Sequence, residues 1–172
     1  MIRKPKYIDI NKELELLNTL THQLLVNGLH AGNTIIVIVS TDYSSVVGQY
    51  LRHALSYERD ICDGFGIDVP FPDEKWNAGY ITGIDKALDA HSHLFRSNKK
   101  ALLLVEAGVI RGGNYTYVVD YLKERYDNKI LTLALCENEG SVFKSDYVGE
   151  YYDNKVEDLT FWWEKDNKHW DQ

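Results

Sequence analysis

A single glutamate separates an apolar run from a glycine-rich loop in ALLLVEAGVIRGGNY, residues 101–115. The apolar run at 101–105 is typical of a buried strand, and Glu106 follows where such a strand ends. Gly112 and Gly113 allow the backbone to approach an anion closely, and backbone N–H groups at the start of a helix bind phosphate. The spacing therefore indicates a site for a phosphorylated sugar, although the same glycines also suit an ordinary strand-to-helix turn.

The composition is that of a soluble globular protein with one sizeable core. Of the 172 residues, 44% are hydrophobic and 26% are charged. The formal net charge is −7 with no basic block, which argues against general binding to nucleic acid or to an anionic membrane. Cys62 and Cys136 lie far apart and form no CxxC pair, and residues 1–14 lack the apolar core of a signal peptide. We therefore expect a cytoplasmic protein.

Buried strands and amphipathic helices alternate along the chain. Three continuous apolar runs predict strands buried on both faces, at 34–39, 101–106 and 129–136. Helices are predicted at 11–27, 45–57, 78–95 and 116–126. The first helix would be capped by Asn11, end before Gly28 and carry an apolar stripe of Leu14, Leu17, Leu20, Leu24 and Leu25. This alternation predicts an α/β fold with a mostly parallel sheet flanked by helices, in which ligands bind at the carboxyl ends of the strands.

Two regions depart from the alternation. The segment STDYS at 40–44 is expected to be a turn, and 64–76 a strand end followed by a long loop. From Glu137 onward the chain is polar and aromatic, which predicts an irregular cap over the strand ends. We expect a single domain, 1–172, with a core up to about residue 136 and a small C-terminal hood at about 137–172.

The segment LLLVEAGVIRGGN, 102–114, resembles the signature of the type I phosphoribosyltransferases, in particular their short xanthine/hypoxanthine-like branch. That signature is a buried strand, two acids and a loop of the form Val-Ile-Thr-Thr-Gly-Gly-Thr. Glu106 takes the place of the first acid and Ala107 that of the second. Residues 7–24, 34–55 and 143–164 are similar to the family's N-terminal segment, its pyrophosphate-loop region and its hood. The matches follow the family's order over most of the chain, which is more specific than any single motif.

The resemblance implies a Rossmann-like core and the transfer of ribose 5-phosphate from phosphoribosyl pyrophosphate to a nucleobase-like acceptor, with Mg²⁺ and an oxocarbenium-like transition state. The phosphate loop, Ile110–Asn114, would bind the 5-phosphate through the backbone of Ile110, Arg111, Gly112, Gly113 and Asn114. Arg111 can add a bidentate contact, and Asn114 replaces the closing threonine as a donor. Glu106 would hold the ribose hydroxyls. Because the side chain of Ala107 has no hydrogen-bond acceptor, the binding of ribose is expected to weaken by about 1.5–3 kcal/mol.

The pyrophosphate loop that the resemblance implies differs from the family's basic, glycine-containing loop. Ser40 and Thr41 can donate hydrogen bonds, whereas Asp42 repels a pyrophosphate unless a bound Mg²⁺ lies between them. We favour the alternative that Asp42 is a solvated turn residue or a helix cap. No set of protein ligands for a metal ion is assigned. The loop at 71–76, where the family has a mobile lid, offers Lys75, which on general grounds is a solvated surface lysine.

In the hood, Lys144 can contact an exocyclic oxygen of a base, and Leu159 or Phe161 can take the place of the family's stacking aromatic. The alternative, which we favour for the hood aromatics as a group, is that they pack the cap.

Three functions remain open, and an active, divergent phosphoribosyltransferase ranks slightly ahead. The second is a nucleotide-binding or regulatory protein of the same fold without catalysis. The third is an enzyme acting on a nucleoside or sugar monophosphate, because the phosphate loop is usable while Asp42 opposes a pyrophosphate. The family resemblance also implies a homodimer.

Overall fold

Five parallel strands form the main sheet, in the computed structural model that describes residues 3–39, 41–57, 60–67, 78–95 and 99–164. The strands are β2 (Thr34–Val39), β3 (Asp63–Ile67), β4 (Ala101–Val109), β5 (Ile130–Asn138) and β6 (Tyr147–Tyr152). Their order across the sheet is β3-β2-β4-β5-β6, and every neighbouring pair is parallel. All residues of β2 are buried, as expected for a central strand covered on both faces.

Helices cover both faces of this sheet. They are α1 (Ile10–Val26), α2 (Thr41–Leu55), α3 (Ala78–Ala90), the single turn α4 (Ser92–Phe95) and α5 (Gly113–Lys123). Helices α1 and α2 pack with Leu103 and Val105 of β4 on one face, while α3 and α5 pack with Leu102 and Leu104 on the other. The predicted α/β fold with a parallel sheet is therefore confirmed. None of the described helices is long and apolar enough to cross a membrane.

The C-terminal part is more regular than the sequence suggests. β6 joins the main sheet, and a separate two-stranded parallel sheet pairs β1 (Lys4–Ile8) with β7 (Glu157–Phe161). A 3₁₀ turn, Trp162–Glu164, follows β7. The prediction of an irregular cap was wrong, because its strands pair with partners that the local pattern does not show.

Several element boundaries also differ from the predicted ones. The N-cap of α1 is Asp9, whose Oδ1 accepts from the Lys12 N–H at 2.8 Å, and not Asn11. Helix α2 begins at Thr41, so the predicted turn at 40–44 is helical from its second residue. Helix α5 begins at Gly113, three residues earlier than predicted, which places part of the phosphate loop in its first turn. In the stripe of α1, Leu14 and Leu25 are exposed, and the buried leucines are Leu16, Leu17, Leu20 and Leu24.

The order of the strands creates a crevice at the carboxyl end of β4. After β2 the chain places β3 on one side and then returns to place β4 on the other, and ligands of parallel sheets bind at such a switch point. The pairing of β4 with β2 ends at Val105, opposite Ile38, whereas its pairing with β5 continues to Val109, opposite Glu137. The last residues of β4 therefore extend past the part of β2 that pairs with it, and Glu106 is the first of them.

Candidate functional site

Glu106 is a buried acid at the switch point. Its side chain is 7% exposed, and the Asn114 side-chain amide donates to its Oε1 at 3.1 Å. Burial raises the pKa of the Glu106 carboxyl to about 7, and the hydrogen bond from Asn114 opposes that increase only in part. A carboxyl with such a pKa exchanges a proton near neutral pH, which is the property required of a general acid or base. Because about half of the Glu106 carboxyls are protonated near pH 7, the repulsion between this side chain and a nearby phosphate anion is also weaker.

Tyr115 lies behind Glu106 and joins α5 to the sheet. Its side chain is fully buried, and its hydroxyl donates to the carbonyl of Leu133 and lies 3.3 Å from that of Leu104. Burial, together with the negative charges of Glu106 and Glu137, raises the pKa of this hydroxyl well above its usual value, so it stays protonated. Tyr115 therefore anchors the first turn of α5 to β4 and β5, next to the acid.

The phosphate loop connects β4 to α5 with a left-handed turn. Gly112 has φ +80°, and its carbonyl accepts from the Thr116 N–H at 3.0 Å and the Thr116 hydroxyl at 3.1 Å. The side chains of Ile110 and Arg111 are exposed, and Asn114 is half-buried. The first N–H groups of a helix lack acceptors within that helix, and the helix dipole there favours an anion. Gly113 and Asn114 supply such groups, next to Glu106.

Ala107 lies in the core and not in the crevice. It is fully buried on the α1 and α2 face of the sheet, and its N–H donates to the buried Ser44 hydroxyl of α2 at 3.0 Å. A second acid at this position would place its charge in that core, at a high cost in desolvation. Of the two positions where the family's acids align, only Glu106 therefore carries a carboxylate in the crevice.

Ser44→Ala is expected to lower the free energy of unfolding by about 1–3 kcal/mol, because the buried N–H of Ala107 would lose its acceptor. Thr19→Ala is the control, since the Thr19 hydroxyl donates to the Glu15 carbonyl on the exposed side of α1. Urea unfolding of both variants measures the effect. Equal losses in the two variants would contradict the role of Ser44.

The remaining predicted site residues have different surroundings. Ser40 and the loop at 71–76 lie outside the described residues, and Thr41 and Asp42 form the first turn of α2, where only the backbone is described. Lys144 is exposed, and its Nζ donates to the Glu139 carbonyl at 2.9 Å and lies 3.6 Å from Oε1 of Glu137. These roles stay predictions.

The hood strand β7 lies over the carboxyl end of β4. A Cβ on Gly108 would lie 3.5 Å from the Phe161 ring and 3.6 Å from Leu159, so both hood residues come within reach of the strand that carries Glu106. Phe161 is 5% exposed and stacks on Trp163 with ring centroids 4.6 Å apart. Phe161 is therefore packed in the core and Leu159 is half-buried, while the predicted contact of either residue with a base stays a prediction. The structure brings Glu106, the phosphate loop and β7 together at one end of the sheet.

The described residues do not provide a magnesium site. Among them, no group of three or more histidine, cysteine, aspartate or glutamate side chains is placed to hold a metal ion. Mg²⁺ binds ionised oxygen ligands in a near-octahedral arrangement. Glu106 is a single buried carboxyl with a raised pKa, and Ala107 adds no second one. The described part of the chain therefore does not fit a protein-held Mg²⁺.

Asn138 was missed by the sequence interpretation. It ends β5, is 3% exposed, and its Nδ2 donates to the Ile110 carbonyl at 2.8 Å. The signal for it in the sequence is weak: a polar residue at the end of a buried strand, between Glu137 and Glu139. Tyr115 was also missed, because a tyrosine after Asn114 carries no recognisable pattern.

Comparison with solved structures identifies the architecture. The xanthine-guanine-hypoxanthine phosphoribosyltransferase of Helicobacter pylori superposes with a TM-score of 0.69 at 16% identity, over 98% of this chain and 97% of that one. The purine phosphoribosyltransferase of Pyrococcus horikoshii gives a TM-score of 0.64 at 16% identity, over 93% and 94% of the two chains. The chain has the phosphoribosyltransferase fold. The resemblance seen in the sequence is thereby confirmed for the fold.

A third solved structure that is similar to this chain contains a bound nucleotide. A hypothetical protein from Neisseria gonorrhoeae with bound ppGpp superposes with a TM-score of 0.69 at 12% identity, over 98% of this chain and 95% of that one. No family model and no curated protein matches the sequence. The likeness is therefore one of structure, and it extends over nearly the whole chain.

Proposed function

We propose that the protein transfers ribose 5-phosphate from phosphoribosyl pyrophosphate to a nucleobase-like acceptor, with purines as the first class to test. The observation that carries the proposal is the hydrogen bond between Asn114, in the first turn of α5, and the buried carboxyl of Glu106. That bond joins an acid to a helix N-terminus at the switch point of the sheet. The likeness to two purine phosphoribosyltransferases supports this assignment.

Each part of the site has a role in the proposed reaction. The N–H groups of the phosphate loop bind the 5-phosphate, and Arg111 adds a charged contact from its exposed position. Glu106 accepts hydrogen bonds from the ribose hydroxyls in its ionised form, and its charge stabilises the positive charge that develops on the sugar in the transition state. Ribose hydroxyls also supply donors that favour ionisation, so sugar binding lowers the pKa of Glu106. Catalysis then rests on positioning and electrostatics.

Incubation with phosphoribosyl pyrophosphate, Mg²⁺ and a panel of purine and pyrimidine bases is expected to release pyrophosphate with at least one base. Pyrophosphate release and nucleotide formation are measured together, so that simple hydrolysis is distinguished from transfer. Thr19→Ala, on the exposed side of α1, serves as a variant with unchanged activity. Absence of turnover with every base would refute the proposal.

A second candidate is a nucleotide-binding protein of the same fold without transfer activity. It is favoured by Ala107, which lies in the core and adds no carboxylate beside Glu106, and by the nucleotide in the Neisseria gonorrhoeae structure. This function predicts that nucleoside monophosphates or ppGpp raise the melting temperature while phosphoribosyl pyrophosphate adds no specific effect. Tighter binding of phosphoribosyl pyrophosphate than of the monophosphates would favour the transferase instead.

A further inference from the structure

Asn138 connects three segments around the phosphate loop. Its Nδ2 donates to the Ile110 carbonyl at 2.8 Å, and its Oδ1 accepts from the N–H groups of Gly140 and Asn154, each at 3.2 Å. Gly140 belongs to the turn after β5, and Asn154 to the turn between β6 and β7. One side chain therefore holds the phosphate loop and two turns of the hood. With 3% of its surface exposed, it does so out of contact with bulk water.

The partners determine the orientation of this amide. The side-chain oxygen faces two N–H donors and the nitrogen faces a carbonyl, so the reverse assignment would oppose donor to donor and acceptor to acceptor. In low-dielectric surroundings each of these contacts is costly to lose. The Asn138 amide is thus fixed in one orientation, and its hydrogen bond fixes the direction of the Ile110 carbonyl.

We infer that Asn138 is a positioning residue that orients the Ile110–Arg111 peptide for anion binding. The C=O and N–H of a trans peptide point in opposite directions, so holding the Ile110 carbonyl towards Asn138 directs the Arg111 N–H to the other side. A carbonyl turned towards the anion would repel it. The Val142 N–H supports the same arrangement, donating to the next carbonyl, that of Arg111, at 3.3 Å. This inference rests on the proposed binding of a 5-phosphate at the loop.

Asn138→Asp tests the inference because it keeps the accepting oxygen and the size of the side chain, while the donor to Ile110 is replaced by a carboxyl oxygen that can carry a negative charge. Ribose 5-phosphate is titrated into the ¹⁵N-labelled full chain, and the amide signals of Arg111, Gly112 and Gly113 are followed. We expect the affinity of the variant to fall by about tenfold or more relative to the wild type, the range of a lost buried hydrogen bond. The Arg111 amide signal is expected to lose most of its shift on phosphate addition.

Two control variants separate positioning from charge and from stability. Asn154→Asp adds a negative charge nearby while leaving the Asn138 donor intact, and should weaken binding by about threefold at most in physiological salt. Asn128→Asp changes another buried asparagine whose Nδ2 donates to a carbonyl, that of Lys100 at 2.9 Å, at the opposite end of β4. It should lower the melting temperature without changing the affinity.

The outcomes are distinguishable. If Asn138→Asp binds ribose 5-phosphate as well as the wild type does, or no more weakly than Asn154→Asp, the inference is wrong while the proposed phosphate site stands. An equal loss of affinity in Asn128→Asp would also overturn it, since the effect would then reflect general destabilisation. If the wild-type loop amides do not respond to ribose 5-phosphate at all, the phosphate site fails and the inference fails with it.

Discussion

Glu106→Gln is expected to make the protein more stable at about pH 8 and to reduce phosphoribosyl transfer by about 100-fold or more. Glutamine keeps the size of the side chain and an oxygen that accepts from Asn114. It removes a charge that is only 7% exposed and whose carboxyl has a pKa of about 7. The ionised carboxylate of Glu106 destabilises the folded state because it is buried. The same ionised carboxylate accepts hydrogen bonds from the ribose hydroxyls and stabilises the positive charge that develops on the sugar. Stability and activity should therefore change in opposite directions.

The sign of the pH dependence follows from the raised pKa. Between the ordinary value of 4.5 and about 7 the folded protein binds more protons at Glu106 than the unfolded chain does, so stability falls as the pH rises through this window. The loss amounts to about 3 kcal/mol and is complete above pH 7. Glu106→Gln lacks this loss, so its melting temperature should exceed that of the wild type by about 6–12 °C at alkaline pH and should equal it below about pH 4.

Glu13→Gln is the matched control for this experiment. Glu13 is 2% exposed in α1, burial raises its pKa against an opposing hydrogen bond from the Trp162 indole, and it lies outside the phosphate loop. Its replacement should shift stability in the same direction with pH and leave transfer unchanged. Melting curves at several pH values and pyrophosphate release measure both quantities. A Glu106→Gln variant with full transfer activity, or with the same stability gain at pH 4 and 8, would contradict the assignment of Glu106.

The core of the fold could be predicted because its strands are continuous apolar runs. The predicted strands at 34–39, 101–106 and 129–136 coincide with β2, β4 and β5 to within a few residues, since strands buried on both faces need such runs whatever their neighbours are. β1 and β7 were not predicted, because they pair with each other across about 150 residues and bury only part of their surface. Their position depends on non-local pairing, which local patterns do not record.

The site could be predicted only where its function depends on residue type within one segment. Glu106 and the glycines are contiguous in sequence, so an acid followed by a helix N-terminus indicates anion binding even without a partner segment. Asn138 instead contacts backbone atoms of Ile110, Gly140 and Asn154. Because every residue has these backbone atoms, the contacts leave no pattern of residue types in the sequence. The early start of α5 was also missed, since glycine disfavours helices and its use at a helix N-terminus depends on the left-handed turn at Gly112.

Gly112→Ala is expected to lower the free energy of unfolding by about 2–5 kcal/mol, the second large effect in this molecule. The backbone at Gly112 has φ +80°, which costs about 1–2 kcal/mol with any L side chain. A Cβ there would also lie 2.5 Å from the Phe143 Cβ, 2.6 Å from the Ser141 Oγ and 2.8 Å from the Phe143 N. Since two of these three atoms belong to the backbone or are attached directly to it, rotation of a side chain does not relieve the contact.

Gly28→Ala separates the two contributions. Gly28 has φ +78°, close to that of Gly112, but nothing lies within 4 Å of the position that a Cβ would take. Its replacement should cost only the conformational part, about 1–2 kcal/mol, and leave the binding of ribose 5-phosphate unchanged. The additional loss in Gly112→Ala, about 1–3 kcal/mol, then measures how closely the phosphate loop packs on the segment that follows β5. Urea unfolding gives both values, and equal losses would show that the loop can move away from that segment. A loop that moved in this way would not present its N–H groups in a fixed arrangement, so the same comparison also tests the preorganisation that anion binding at Gly113 and Asn114 requires.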